Sequence, residues 1–172
     1  MTKCYKLFSV AQYAIKRDSL MKNNLYVIGI FAAFDLVSGQ ECWKIYLDDR
    51  IEATAASADQ FCYVLIGTFG GILYCIHTDT GKIHWEYKEC QDIIKTKPAV
   101  YENQVVFACH DGFVRCLNIT NGNLVWKRGV NAPCAANVII TTDGKLPFVT
   151  QCLIHLIYFS NFEVVADQND FQ

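Results

Sequence analysis

The chain has 172 residues, of which 52% are hydrophobic, 13% aromatic and only 19% charged, and its formal net charge is −2. That balance argues against a nucleic-acid-binding surface or a polybasic membrane signal, both of which need clustered Lys and Arg. No apolar stretch reaches the ~18 residues that a membrane-crossing helix requires.

From the N-terminus, residues 1–24 contain neither Gly nor Trp. Leu7, Val10, Ala11, Ala14 and Ile15 fall at i, i+3, i+4, i+7 and i+8, a spacing that predicts a helix in an atypical N-terminal segment. Gln12 and Tyr13 interrupt the apolar run behind Lys3 and Lys6, and no small-residue cleavage site follows, so a signal peptide is not expected.

From residue 25 onward an eleven-residue pattern appears three times: Ala33 to Trp43, Cys75 to Trp85 and Cys116 to Trp126. Trp43, Trp85 and Trp126 are 42 and 41 positions apart, and Gly39, Gly81 and Gly122 keep the same intervals. A period of about 40 residues implies one supersecondary unit per repeat, stacked on its neighbours. Ahead of the late glycines, Phe61 to Thr68 and Ile72 to His77 flank Gly70-Gly71, while Val105 to Cys109 and Phe113 to Asn118 flank Asp111-Gly112. Gly71 and Gly112 therefore occupy the tip of a hairpin, where φ > 0 is needed.

Each repeat reads as strand, Gly turn, strand, Thr/Asn-Gly turn, and a strand ending near Trp. A fourth, innermost strand of small or β-branched residues is expected in Asp49 to Ala58, Asp92 to Val100 and Asn131 to Ile139. Four antiparallel strands per ~40 residues make the blade of a β-propeller. The expected fold is all-β, a partial propeller of three to four blades over 25–151, followed by a divergent strand and polar tail over 152–172. Propellers close with about 4 to 8 blades, so the chain is expected to be a piece of a larger protein, because an open set leaves strand edges unpaired.

Nine cysteines are an odd number, and none forms a Cys-x-x-Cys pair. Cys42, Cys75, Cys109 and Cys116 lie in strand-like runs, where a reduced thiol serves as a small apolar residue. Cys109-His110 with Cys116 is too loose a set for zinc, so no metal ligand is assigned. Asp111 reads as a turn residue and His84 as pointing to the strand face opposite Trp85; His110-Asp111 lacks the nucleophile and oxyanion donors of a triad. Asn118-Ile-Thr120 spells a glycosylation sequon inside a repeat and matters only for a secreted chain. No catalytic or cofactor-binding residue is assigned.

The pattern Ala-x-Asp-x-x-Thr-Gly-Lys-x-x-Trp resembles the tryptophan-docking motif of the pyrroloquinoline-quinone (PQQ) dehydrogenase-like propellers. Ala33, Asp35, Gly39 and Trp43 match it in the first repeat, Thr80, Gly81, Lys82 and Trp85 in the second, and Gly122 and Trp126 in the third. His77 and Asn118 replace the motif's Asp, which weakens the expected turn cap there. The resemblance implies that each Trp packs against a neighbouring blade, and it marks Asp35, Gly39, Trp43, Gly71, Gly81, Trp85, Gly112, Gly122 and Trp126 as structural repeat residues. Within these propellers, Gly39 to Trp43 followed by Asp48 to Glu52 most resembles the C-terminal propeller of β-alanine-activating enzymes of the acyl-CoA synthetase family.

The resemblance implies an AMP-forming adenylation domain and a carrier domain elsewhere in such a parent. Thr78 to Ile83 lacks the glycines and hydroxyls of an ATP loop, and Gly70-Gly71 is followed by Ile72 instead of a carrier serine. The expected function is a non-catalytic binding or scaffold module in the cytoplasm, without cofactor, nucleic acid or membrane. Its expected partner is another protein, or the remaining blades and domains of its parent. The alternative is part of a PQQ-dependent dehydrogenase propeller, although adjacent cysteines are absent here. A third reading, a scaffold like the bacterial outer-membrane assembly lipoprotein, would need a lipoprotein signal and cysteine that the sequence does not display.

Overall fold

Five glycines sit at positive φ, from 69° to 79°, and the strands fall between them: Gly39, Gly71, Gly81, Gly112 and Gly122. They are the five turn glycines of the repeat. The structure, a computed structural model, describes residues 6–17, 25–130, 132–135, 137–138, 145–149, 154–158 and 164–166, with side chains described for 29–130, 132–135 and 137–138.

Fourteen strands are described, and every pairing is antiparallel. Sheet I is β1 (Lys6–Arg17), β2 (Leu25–Asp35) and β3 (Glu41–Leu47), in that order. Sheet II is β4 (Ala56–Ala58), β5 (Tyr63–Gly67), β6 (Leu73–His77) and β7 (Ile83–Tyr87), with a short 3-10 turn at Asp59–Phe61. Sheet III repeats this with β8 (Ala99–Tyr101), β9 (Gln104–Cys109), β10 (Phe113–Asn118) and β11 (Leu124–Gly129). Sheet IV is β12 (Lys145–Val149), β13 (Ile154–Tyr158) and β14 (Val164–Ala166). The chain is thus an all-β partial propeller, with two complete four-stranded blades among the described residues.

Register repeats as faithfully as sequence. Trp43 pairs with Ala33, Trp85 with Cys75 and Trp126 with Cys116, and in each sheet the ladder breaks by a bulge directly after that pair. The tryptophans lie within their strands, which end near them as expected, two to four residues further on, at Leu47, Tyr87 and Gly129.

Period-2 alternation decides which blade each face packs against. Val64, Ile66, Tyr74 and Ile76 of sheet II join Phe31, Ala33 and Trp43 of sheet I in one core. Leu65, Leu73, Cys75 and Trp85 face the other way and meet Val105, Phe107, Cys109 and Leu117 of sheet III. The far face of sheet III, with Val106, Ala108, Cys116 and Trp126, packs on Val130, Cys134 and Val138.

Two expectations are corrected. Leu7 to Ile15 lies in strand β1, not a helix, with a register shift between Ala11 and Ala14. Ten residue pairs with β2 give its backbone a ladder that five periodic residues cannot outweigh, a tertiary override of local spacing. The innermost strand is also shorter than the small-residue stretches: Ile51 to Ala55 and Ile93 to Pro98 are connecting segments. Ile94 is one reason, because its N–H bonds to the Thr68 carbonyl outside any ladder, and Pro98 has no N–H to donate. Part of Asn131 to Ile139 lies outside the described residues, as does all of the tail after residue 166.

Candidate functional site: the seams between blades

Each seam begins with a tryptophan. The Trp43 indole Nε1–H donates to the Thr78 carbonyl at 2.7 Å, and Trp85 Nε1–H donates to the Ile119 carbonyl at 2.7 Å. Both rings are buried and lie against the turn glycine of the following repeat. A Cβ on Gly81 would stand 2.7 Å from the Trp43 ring, and one on Gly122 would stand 2.8 Å from the Trp85 ring. Glycine is thus required twice over at these positions, by φ and by the ring. The glycine that receives each Trp belongs to the next repeat, so Gly39 has nothing within 4 Å of such a Cβ.

The turns that present these glycines share one hydrogen-bond plan. Gly39, Gly81 and Gly122 each donate N–H to the carbonyl four residues back, on Asp35, His77 and Asn118. Asp35 Oδ1 also accepts from the Val37 and Ser38 N–H groups. Asn118 keeps that cap, its Oδ1 accepting from Thr120 N–H and Oγ1 at 2.9 and 2.6 Å, so the replacement does not weaken the turn as expected. His77 instead joins an aromatic trio. His84 stacks on Tyr63 with centroids 4.6 Å apart, His77 meets both edge-on, and His84 Nε2 lies 2.8 Å from the Thr120 carbonyl. His84 is therefore another bridge to sheet III.

At the opposite end of β10, polar groups cluster inside the seam between sheets II and III. Arg115 is fully buried and grips Asp111 with both terminal nitrogens, Nη1 to Oδ1 at 2.9 Å and Nη2 to Oδ2. Phe113 N–H and Gln91 N–H, each at 3.2 Å, take the remaining acceptor positions of the carboxylate. Asp111 is more than a hairpin residue; it neutralises a buried cation. Burial works to raise its carboxyl, but the Arg115 hydrogen bonds and the Gln91 N–H outweigh that and hold it below the ordinary carboxylate range.

Two thiols complete the cluster. The sulfurs of Cys90, after β7, and Cys109, at the end of β9, lie with an Asp111 oxygen within 4.8 Å of one another. Sequence reasoning set Cys109 beside His110 and Cys116; Cys116 packs on the other face of sheet III. Cys90 was missed because 19 residues separate it from Cys109 and no local spacing joins them. Elsewhere burial alone pushes the Cys75 and Cys116 thiols up to about 12, as expected of apolar core residues.

Between the outer strand of sheet II and the Asn121-Gly122 turn lies an open cleft of ≈ 390 Å³, rimmed by Glu86, Lys88, Glu89, Asn121 and Asn123. Large apolar side chains are exposed at Tyr46 on β3, Ile83 on β7, and Leu124 and Val125 on β11, and also at Leu36 and Val37 in the turn after β2 and at Tyr101 on β8. Most polar atoms of the seams described bond to one another, while Arg50 Nε and Arg115 Nε are buried without a hydrogen-bond partner.

Comparison with known proteins places this architecture. A family model described as outer membrane protein assembly factor BamB matches residues 29–158. An outer membrane protein assembly factor BamB of Bordetella pertussis is 31% identical over 108 residues, covering 63% of this chain and 27% of its own length. A quinoprotein ethanol dehydrogenase of Pseudomonas aeruginosa is 28% identical over 141 residues, covering 74% and 20%. The chain thus spans about a quarter or less of these relatives. Among solved structures, BamB from Moraxella catarrhalis superposes with a TM-score of 0.68 at 18% identity, over 81% of this chain and 44% of that one. The computationally designed Ika4 protein gives 0.67 at 19% identity, over 77% and 84%.

Proposed function

The chain belongs to the PQQ-like propeller-repeat family described as outer membrane protein assembly factor BamB, and from that premise we propose that it is a non-catalytic part of a larger propeller that holds a protein partner. The observation that carries this reading is where the apolar surface lies. Tyr46, Ile83, Leu124 and Val125 are exposed on the outermost strands of sheets I, II and III, a placement suited to contact with another polypeptide. The same strands carry Glu41, Lys44, Glu86, Lys127 and Arg128, charges that discourage indiscriminate edge pairing. Asp111, the carboxylate best placed to act as a base, is instead fully engaged by Arg115, Phe113 and Gln91. The family description and the name of the Bordetella pertussis relative point the same way, since both read assembly factor.

The finer reading is that the parent is an acid-activating enzyme of the acyl-CoA synthetase family, working in the cytoplasm. Its support is the phrase Gly39 to Trp43 with Asp48 to Glu52, and the use of Cys75 and Cys116 as buried core thiols. Similarity to the quinoprotein ethanol dehydrogenase favours a competing reading, a piece of a cofactor-binding propeller.

Three experiments separate these readings. Photo-crosslinking residues introduced at Tyr46 and Leu124 should each give one discrete adduct in the native host, and no adduct at either position would overturn the partner-holding role. Equilibrium titration with PQQ and calcium should show no saturable binding; saturation at one cofactor per chain would favour the dehydrogenase reading. A transcript with adenylation and carrier regions upstream, in frame, would support the acid-activating parent, and one with a lipoprotein signal would overturn it.

A further inference from the structure

Cys90 and Cys109 belong to different blades, yet their sulfurs meet inside one seam, within 4.8 Å of one another. Cys90 is half-buried, whereas Cys109 is fully buried. We propose that Cys90 and Cys109 are an oxidative modification site, a reversible disulfide that ties the end of one blade to the next. The inference stands apart from the partner-holding role and needs no part of it.

A metal site is the first alternative, because two thiols and a carboxylate can bind zinc. Asp111 decides against it. Its oxygens already accept four hydrogen bonds, from Phe113 N–H, Gln91 N–H and both terminal nitrogens of Arg115. A carboxylate offers about four acceptor positions, so none is left for an ion. The chemistry remaining in the cluster is that of two thiols beside a cation. Arg115 Nε is buried and has no hydrogen-bond partner, and Arg115 interacts electrostatically with both sulfurs, an arrangement that favours a thiolate. The Asp111 N–H also reaches Cys109 Sγ at 3.5 Å. Consistent with that setting, the Cys90 thiol as donor lowers the Cys109 thiol, while the same contact and burial raise Cys90.

Access sets the order of events. A small disulfide such as oxidised glutathione meets half-buried Cys90 first. Cys109 thiolate takes the Cys90 proton as the Cys90 sulfur attacks the disulfide, a Cys90–glutathione bond forms, and one glutathione leaves as thiol with that proton. Cys109 thiolate then attacks the Cys90 sulfur and displaces the second glutathione, which takes up the Cys109 proton. The protein loses two protons and two electrons, and the oxidised glutathione becomes two thiols.

The test uses the whole chain, treated with excess oxidised glutathione, alkylated and digested with trypsin without reduction. Cleavage after Lys88, Lys95 and Arg115 leaves Cys90 in Glu89–Lys95 and Cys109 in Thr96–Arg115, because Lys97 precedes Pro98. These two peptides should appear joined, roughly tenfold above any other linked pair. Exposed Cys42 and Cys62 should stop at glutathione adducts. In Cys109→Ser, Cys90 should halt at its glutathione adduct; in Cys90→Ser, Cys109 should stay unmodified. A wild-type digest without the joined pair overturns the proposal whether or not the variants fold. So does one zinc retained per chain under reducing conditions and lost in Cys90→Ser.

Discussion

The two complete seams share one end and differ at the other. Trp43 enters sheet II and Trp85 enters sheet III through the same 2.7 Å indole bond to a backbone carbonyl and the same contact with a turn glycine. At the far end, the first seam holds a neutral donor, the Tyr74 hydroxyl, bonded to Asp48 at 3.0 Å. In the second, Arg115 stands where Tyr74 does, Asp111 where Gly70 does, and Cys90 where Asp48 does, five residues after its tryptophan. The lesson is a division of labour within the repeat. One end is a fixed dock that sets how blades join; the other is free to vary, here from a tyrosine–carboxylate pair to a buried ion pair with thiols.

The largest test of that contrast is Asp111→Ala, which leaves a guanidinium buried and unpaired. It should cost about 3–5 kcal/mol in urea denaturation, and pairing it with Arg115→Met should restore most of the loss. A double variant no better than the single would mean that the ion pair is not what makes this seam different. At the shared end, Trp43→Ala and Trp85→Ala should each cost about 3–5 kcal/mol. Clearly unequal losses would break the equivalence of the docks.

Glycines sharpen the same point. Gly39→Ala meets only the backbone penalty of positive φ, about 1–2 kcal/mol. Gly81→Ala must also displace the Trp43 ring and should cost about 1–3 kcal/mol more. Equal effects would place Trp43 away from Gly81. Smaller again is Tyr74→Phe, about 1 kcal/mol, because a single hydrogen bond is lost without stranding a charge.

Within the second seam, titration distinguishes two groups by sign. Asp111 is held below its ordinary value, so its contribution is present above the unfolded carboxylate pKa and fades as acid reaches the folded one. Burial pushes Tyr87 up to about 12, so its contribution is present below about pH 10 and fades as pH rises towards 12. Arg115→Met/Asp111→Ala should therefore flatten the acid limb of a stability–pH curve and leave the alkaline limb standing.

How much of this was legible follows from where the constraints act. The blades and docks were readable because Trp43, Trp85 and Trp126 with their turn glycines are demanded at each repeat by local φ and ring contact. The receiving glycine's membership of the next repeat was not, since spacing alone cannot say which neighbour a ring meets. Leu7 to Ile15 looked helical because its partner, β2, is a tertiary fact. Cys90, Cys109 and Arg115 converge only once two blades are stacked, so no motif announced them. The assembly-factor likeness, ranked last in the sequence reading, came to the front through relatives that share the propeller repeat.

The most direct measurement is hydrogen exchange at the tryptophan indole nitrogens, followed by NMR on the intact chain. Docking predicts that the Nε1–H groups of Trp43 and Trp85, bonded across their seams, exchange roughly 100-fold or more slowly than a free indole. Exchange of both at the free rate would contradict blade-to-blade docking.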